Sequence, residues 1–118
     1  MDAVGTFHEF FRVATETRDA DAFAALWAED PSVTMWGSDL TERAHGIDAV
    51  RALGQKVITS SDELRFEWQD VDVYERGYVA WINAAGTVNG STPYRATAVL
   101  VRTPTGWRFH TFNGSIPD

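Results

Sequence analysis

The last third of the chain constrains the fold most. Three runs, residues 78–88, 94–102 and 107–115, alternate apolar and polar side chains, and tight-turn signals separate them. Asn89-Gly90 is the strongest of these signals, because both residue types tolerate the positive φ of a two-residue hairpin. Thr103-Pro104-Thr105-Gly106 marks the next turn. A fourth alternating run, residues 63–74, comes just before and ends at Glu75-Arg76-Gly77. Strands joined by turns this short pair antiparallel, so the sequence predicts a twisted meander with one face to cover.

The covering layer is written in the first half, where the apolar period changes from 2 to 3.6. Residues 3–16 place Val4, Phe7, Phe11 and Ala14 on one helical stripe with Phe10 beside it. Asp19 or Asp21 caps a second helix carrying Ala22, Phe23, Leu26 and Trp27, which stops at Asp30-Pro31 because the residue before proline avoids the helical region. Residues 32–36 read as a short strand. A third helix follows Gly46 over residues 48–59, with Val50, Leu53 and Val57 inward and with Gly54 weakening it by about 1 kcal/mol relative to alanine. Helices in one block and strands in another give an α+β chain: a single domain over 1–118, a cone-shaped curved antiparallel sheet with three helices over its concave face.

Composition narrows the function. The 118 residues carry a net charge of −7 and no basic cluster, which argues against nucleic-acid and anionic-membrane partners. There is no cysteine, hence no thiolate nucleophile or thiolate metal site. No histidine pair has ligand spacing and there is no glycine-rich phosphate loop, so neither a metal nor a cofactor is expected. No apolar run nears the ~18 residues of a membrane span, and the first residues lack the pattern of a secretion signal; a cytoplasmic location is the expectation. Five Trp, seven Phe and three Tyr exceed what so small a core requires, so some rings are expected to line a cavity or a subunit contact.

Several local patterns are similar, in order and spacing, to those of the nuclear transport factor 2-like superfamily and its SnoaL-like group. They are Asp19-x-x-x-Phe23 with Trp27-Ala-Glu-Asp30, then Gly46-Ile-Asp-Ala-Val50, Gly77-Tyr-Val-Ala-Trp81, and Gly106-Trp-Arg-Phe109 leading to Phe112-x-Gly-Ser115. The resemblance implies the cone-shaped α+β fold named above and leaves function open, since the superfamily includes isomerases, dehydratases, epoxide hydrolases, cyclases, transport factors and kinase association domains. The ketosteroid isomerase oxyanion tyrosine, oxyanion acid and base correspond to Phe11, Ala98 and Met35, none of which keeps that chemistry. The pocket arginines of the association domains correspond to Asn83, Ala98 and Gly114, all uncharged. The resemblance thus implies neither of those sites.

It does fix which strand faces are inside, because side chains alternate. With Ala98 inward, Tyr94, Ala96 and Leu100 are inward. With Gly114 inward, His110 and Phe112 are inward and Phe109 is outward. On residues 78–88 either Ala80 and Ile82 or Trp81 and Asn83 face in, and a bulge could reconcile the two. The expected pocket is lined by Phe11, Trp27, Met35, Asn83, Tyr94, Ala98, Phe112 and Gly114, with His110 as the acid-base residue. Asp39, Glu42 and Arg43 belong to a loop at the mouth, and Asp70 and Asp72 share a face with Trp68 and Tyr74. Arg95, Thr97, Val99, Val101, Phe109 and Thr111 make an outer face suited to a homodimer. The reading is a pocket for a small apolar molecule, with isomerase, cyclase or hydratase chemistry through His110. The alternative is a non-catalytic dimerisation or ligand-sensing domain.

Overall fold

The structure is a computed structural model that describes residues 1–60 and 64–117. Three helices, α1 (Ala3–Arg12), α2 (Ala20–Ala24) and α3 (Ile47–Ser60), cover a six-stranded sheet. Its strands are β1 (Thr34–Trp36), β2 (Arg43–His45), β3 (Phe66–Arg76), β4 (Val79–Val88), β5 (Thr92–Thr103) and β6 (Gly106–Ser115), ordered β2-β1-β6-β5-β4-β3. This is the α+β cone expected. Glu63, expected to open the first long strand, lies outside the described residues. Pairing is antiparallel throughout except between β1 and β6, which run parallel with Met35 opposite Phe112. The sequence gives no sign of β2, a three-residue hairpin partner of β1.

Local chemistry explains the helix ends. Asp2 accepts the Gly5 N–H at 2.8 Å and opens α1. Past Arg12 the helix widens into a π-helical turn, Val13–Thr17, closed by the Arg18 N–H on the Val13 carbonyl at 2.7 Å. Arg18 takes the left-handed conformation there, and its guanidinium donates to the Ile58 carbonyl at 2.6 Å near the end of α3. A cation at a helix C-terminus is favourable. Asp19 caps α2 by accepting from the Asp21 and Ala22 N–H groups. That helix ends well before Asp30: after a turn at residues 25–26, Trp27 bridges to β6, where the Phe109 N–H donates to the Leu26 carbonyl at 2.8 Å and the Ala28 N–H to the Phe109 carbonyl at 2.9 Å.

The inner face of the sheet is small and the helix face is large. Ala80, Ile82 and Ala84 on β4 and Ala96, Ala98 and Leu100 on β5 are buried. Onto them α1 lowers Phe7, Phe10 and Phe11, all buried; Val4, expected in this stripe, stays half-buried while Phe10 is fully part of it. Ring-to-ring contacts tie the layers, among them Phe10 on Phe112 at 4.5 Å and Phe11 on Phe66 at 4.8 Å. Gly54 has its own reason: a β-carbon there would lie 2.6 Å from the Phe23 ring, so its absence lets α2 and α3 close together.

Two β-bulges correct the expected alternation. On β3 the register slips between Trp68 and Asp70, so Gln69 is the extra residue. Trp68 therefore packs inward, 5.0 Å from Phe11, while Asp70, Asp72 and Tyr74 stay exposed on the outer face. On β6 the slip falls at His110: Thr111 pairs with Val99, and Phe109 with Leu100. Phe109 is thus fully buried rather than outward, and Phe112 and Gly114 keep their inward positions. β4 carries no slip against β5, and its inward set is Ala80 and Ile82 rather than Trp81 and Asn83.

The β3 bulge rests on a close approach. A β-carbon on Gly86 would lie 1.9 Å from the Glu67 carbonyl oxygen, a backbone atom that cannot swing aside. Gly86→Ala should therefore destabilise the domain by at least the ~1–3 kcal/mol of an overpacked core. Urea unfolding of the variant against the parent measures this, and an unchanged midpoint contradicts it.

Candidate functional site

Where the rings of α1 end, the small side chains of Ala14 and Thr15 leave the cone open. The result is a cavity of about 360 Å³ bounded by α1, its π-helical turn, α2, α3, the β1–β2 loop, β3, the β4–β5 turn, β5, and the end of β6 with the residues after it. Its floor is aromatic, from Phe10, Phe11, Phe23, Phe66, Tyr94 and Phe112. Its sides are aliphatic, from Met35, Val57, Ile58, Leu64, Val88 and Ile116. Polar side chains are few among the lining residues. Asn89 is committed to structure, since its backbone and side chain bind the two backbone groups of Arg65. Thr15 donates to the Phe11 carbonyl at 2.7 Å.

The other lining residues with polar side chains are Ser38, Glu42, Thr92 and Tyr94. The Tyr94 hydroxyl is deep in the wall, and Gly114 makes the space for it: a β-carbon at Gly114 would lie 1.9 Å from that oxygen. Tyr94 hydrogen-bonds to none of the described residues through its hydroxyl. Burial, and secondarily the negative charge of Glu42, push its pKa well above the ordinary tyrosine value, so it is a neutral phenol. Glu42 lines the same cavity from the β1–β2 loop, where its carboxylate accepts the Asp39 N–H at 3.0 Å and its carbonyl accepts the Gly37 N–H at 2.7 Å.

The structure brings Phe11, Met35, Tyr94 and Phe112 together in this cavity wall. The other expected site residues lie elsewhere. Ala98 and Gly114 are buried beneath the floor, with Gly114 acting through Tyr94. Trp27 packs among Phe10, Phe23 and Phe109 and borders a separate cleft with Arg51 and Arg108. Its indole N–H is the one buried side-chain polar atom among the described residues without a hydrogen-bond partner. Asn83 is on the outer face, accepting from the Thr97 hydroxyl at 3.1 Å.

His110 does not line the cavity, because the β6 bulge turns it out. Its Nε2 is 2.8 Å from the Ser32 hydroxyl, which in turn donates to Asp30 at 2.6 Å, and its Nδ1 is 2.7 Å from the Thr111 hydroxyl. The Ser32 bonds lower the Asp30 pKa, with a smaller contribution from His110. This network pins the 30–32 loop to β6, and of its members Asp30 borders the separate cleft beside Trp27. Glu42 was expected in a loop at the mouth, as a ligand contact, a lid charge or a solvated residue; it borders the cavity. Its signal was the Gly37-Ser-Asp39 turn, which folds the chain back and brings the carboxylate inward. Among the described residues no cluster of three His, Asp or Glu is arranged to hold a metal, and no helix is long and apolar enough to cross a membrane.

A family model for the SnoaL-like domain matches residues 4–118. No curated protein matches the sequence. Similar solved structures include a proposed dehydratase of the NTF2-like family from Streptomyces avermitilis, 19% identical over 97% of this chain and 93% of that one, with a TM-score of 0.81. A proposed calcium/calmodulin-dependent protein kinase type II association domain from Thiobacillus denitrificans is 20% identical over 99% and 96%, with a TM-score of 0.84. A cystatin-like fold protein from Burkholderia xenovorans is 21% identical over 98% and 88%, with a TM-score of 0.79. At these identities the likenesses establish the fold alone.

The Tyr94 environment gives a pH signature. Its folded pKa is raised, so between about pH 10, where an unfolded tyrosine titrates, and that higher value the native chain holds a proton the unfolded chain has lost. This contribution to stability is intact below about pH 10 and is lost as pH rises further. Tyr94→Phe should remove the latest-appearing part of the phenolate absorbance at alkaline pH. Gly114→Ala should move that part toward the ordinary range by displacing the ring. If neither variant changes the titration curve, the hydroxyl is not buried as described.

Proposed function

We propose that this chain, which belongs to the SnoaL-like domain family, is a small-molecule-binding domain whose ligand is largely apolar and is oriented by one polar group. The observation that carries this is the cavity itself, ring-lined and supplied with one unpaired phenol and one carboxylate. Pockets that bind small molecules have this composition: an apolar wall that supplies affinity through desolvation, and a few polar atoms that fix orientation. The Tyr94 hydroxyl meets the ligand's polar atom. Isomerase, cyclase or hydratase chemistry in this cavity falls to Glu42 and Tyr94, since His110 is outside it.

Two copies pairing through the outer sheet face remain part of this reading. That face keeps Val99, Val101 and Thr111 half-buried and Arg95 and Thr97 exposed, with the Tyr74–Trp81 stack at 5.9 Å alongside. Phe109 does not belong to it. Asp70 and Asp72 stand two strands from Arg95, so a two-fold partner has opposite charges to meet.

Binding of the neutral fluorescent probe N-phenyl-1-naphthylamine tests the cavity. The parent protein should bind it with a blue-shifted emission, and Ala14→Phe, which puts a ring into the opening, should weaken binding roughly tenfold, about 1.4 kcal/mol. Tyr94→Phe should cost an oxygen-bearing ligand about 0.5–1.5 kcal/mol, the worth of one neutral hydrogen bond. Absence of probe binding by the folded protein refutes the reading.

For the pair, light scattering should give a dimer for the parent chain. It should give a monomer for Val99→Asp, which sets like charges across the two-fold; a monomeric parent ends the proposal.

A further inference from the structure

The charge of the cavity wall narrows the ligand class, resting on the reading of that cavity as a binding site. Among the described lining residues there is no Lys, Arg or His, and Glu42 is the one carboxylate. That carboxylate is held in place. Besides its bonds to the Asp39 and Gly37 backbone, its side chain crosses Gly37 so closely that a β-carbon there would lie 2.8 Å from the Glu42 Cβ. The bond from Asp39 occupies one lone pair of Oε1, and a carboxylate has about four to offer. The carboxylate borders a space whose other walls include Phe10, Phe11, Phe66, Phe112 and the Tyr94 ring.

Three kinds of ligand fare differently here. An anion brings a second negative charge beside Glu42 with no cation to meet it, which is the costly case of a desolvated unpaired charge. A neutral hydrocarbon fits the rings but covers Glu42, stripping its water and returning nothing. A cation on an apolar body satisfies both parts at once. Its N–H groups donate to Glu42, and its charge lies against ring faces, which attract cations.

We propose that the cavity selects small lipophilic amines in their protonated form, with the ammonium on the Glu42 carboxylate, the Tyr94 oxygen as a second acceptor and the hydrocarbon among the phenylalanine rings. The neutral phenol of Tyr94 suits this, since its oxygen accepts while its proton remains free for a further acceptor. The net charge of −7 also favours the approach of cations over anions.

A series sharing one apolar body isolates the charge: naphthalen-2-ylmethanamine, naphthalen-2-ylmethanol and 2-naphthoate, titrated calorimetrically at pH 7 into the parent protein and into Glu42→Gln. The parent should bind the amine at least roughly tenfold more tightly than the alcohol, and the carboxylate more weakly than either. Glu42→Gln should leave the alcohol unchanged and bring the amine to within about twofold of it. If the alcohol binds as well as the amine, or the amine keeps its advantage in Glu42→Gln, the amine assignment is overturned while the cavity reading stands. If none of the three binds but N-phenyl-1-naphthylamine does, the assignment also fails alone. If the folded protein binds neither the series nor that probe, both fail. Should Glu42→Gln not fold, the amine-over-alcohol ratio in the parent decides, with Ala14→Phe as the control: an advantage that survives blocking the cavity arises at the acidic surface and overturns the proposal.

Discussion

The spacing between α1 and the sheet governs everything else in this molecule, and aromatic rings set it. Phe10 stacks on Phe112 at 4.5 Å and reaches Phe109 at 4.9 Å, while Phe11 lies between Phe66 and Trp68. Rings this large fit because β4 and β5 present alanines beneath them. Large on one layer and small on the other is how two faces interdigitate at core density without strain. The cavity is the continuation of the same interface past the last ring, where α1 gives way to Ala14 and Thr15. A π-helical turn at that point redirects the chain toward α2, and such turns recur near functional sites.

The bulges do the complementary work on the sheet. A long, strongly twisted antiparallel sheet does not curl into a cone on twist alone; an extra residue bends the strand locally. Gln69 does this on β3, and His110 on β6. At His110 the strand also changes neighbours, since Phe109 already gives both backbone groups to residues 26–28. That exchange lets β6 pair with β5 on one side, and with β1 and the 26–28 segment on the other. The parallel β1 strand owes its place, and Met35 its position in the cavity wall, to this arrangement.

The same features mark where the sequence was legible. Alternation on β5 placed Tyr94, Ala96, Ala98 and Leu100 on one face, and all four are buried, because that strand has no extra residue in its inner half. The helix stripes and the turns at Asn89-Gly90 and Gly106 were readable for the same reason: each rests on local chemistry. His110, Phe109 and Trp68 were misassigned because a bulge is decided by the partner strand and the backbone beyond it. Neither Gln69 nor His110 announces one by residue type. Gly86, whose missing β-carbon accommodates the Glu67 carbonyl, is the nearest thing to a signal, but a glycine within a strand admits several readings. Glu42 was seen but left at the mouth, since whether a loop carboxylate points to water or into a cavity depends on contacts with distant strands. Three-residue strands such as β2 fall below any periodic pattern.

The polar content of the cavity is set by pairs of residues in which one supplies the group and a glycine supplies its room. Tyr94 stands where it does because Gly114 has no β-carbon, and Glu42 folds inward because Gly37 has none. The supports belong to β6 and the β1–β2 loop, whereas the frame is carried by the ring contacts of α1 and the alanines of β4 and β5. The two sets meet at Phe112, which stacks on Phe10 and borders Gly114, and at Tyr94, whose ring packs against Phe66 at 5.1 Å and Trp68 at 6.0 Å, whereas Glu42 and Gly37 stand apart from the rings. On the proposed reading, Glu42 bears on what the cavity recognises without taking part in the ring contacts that set the helix–sheet spacing. That separation is a physical reason why likeness of fold at about one-fifth identity carries no information on ligand. On the proposed reading, the polar recognition of this chain rests with Tyr94 and Glu42 and the two glycines beneath them.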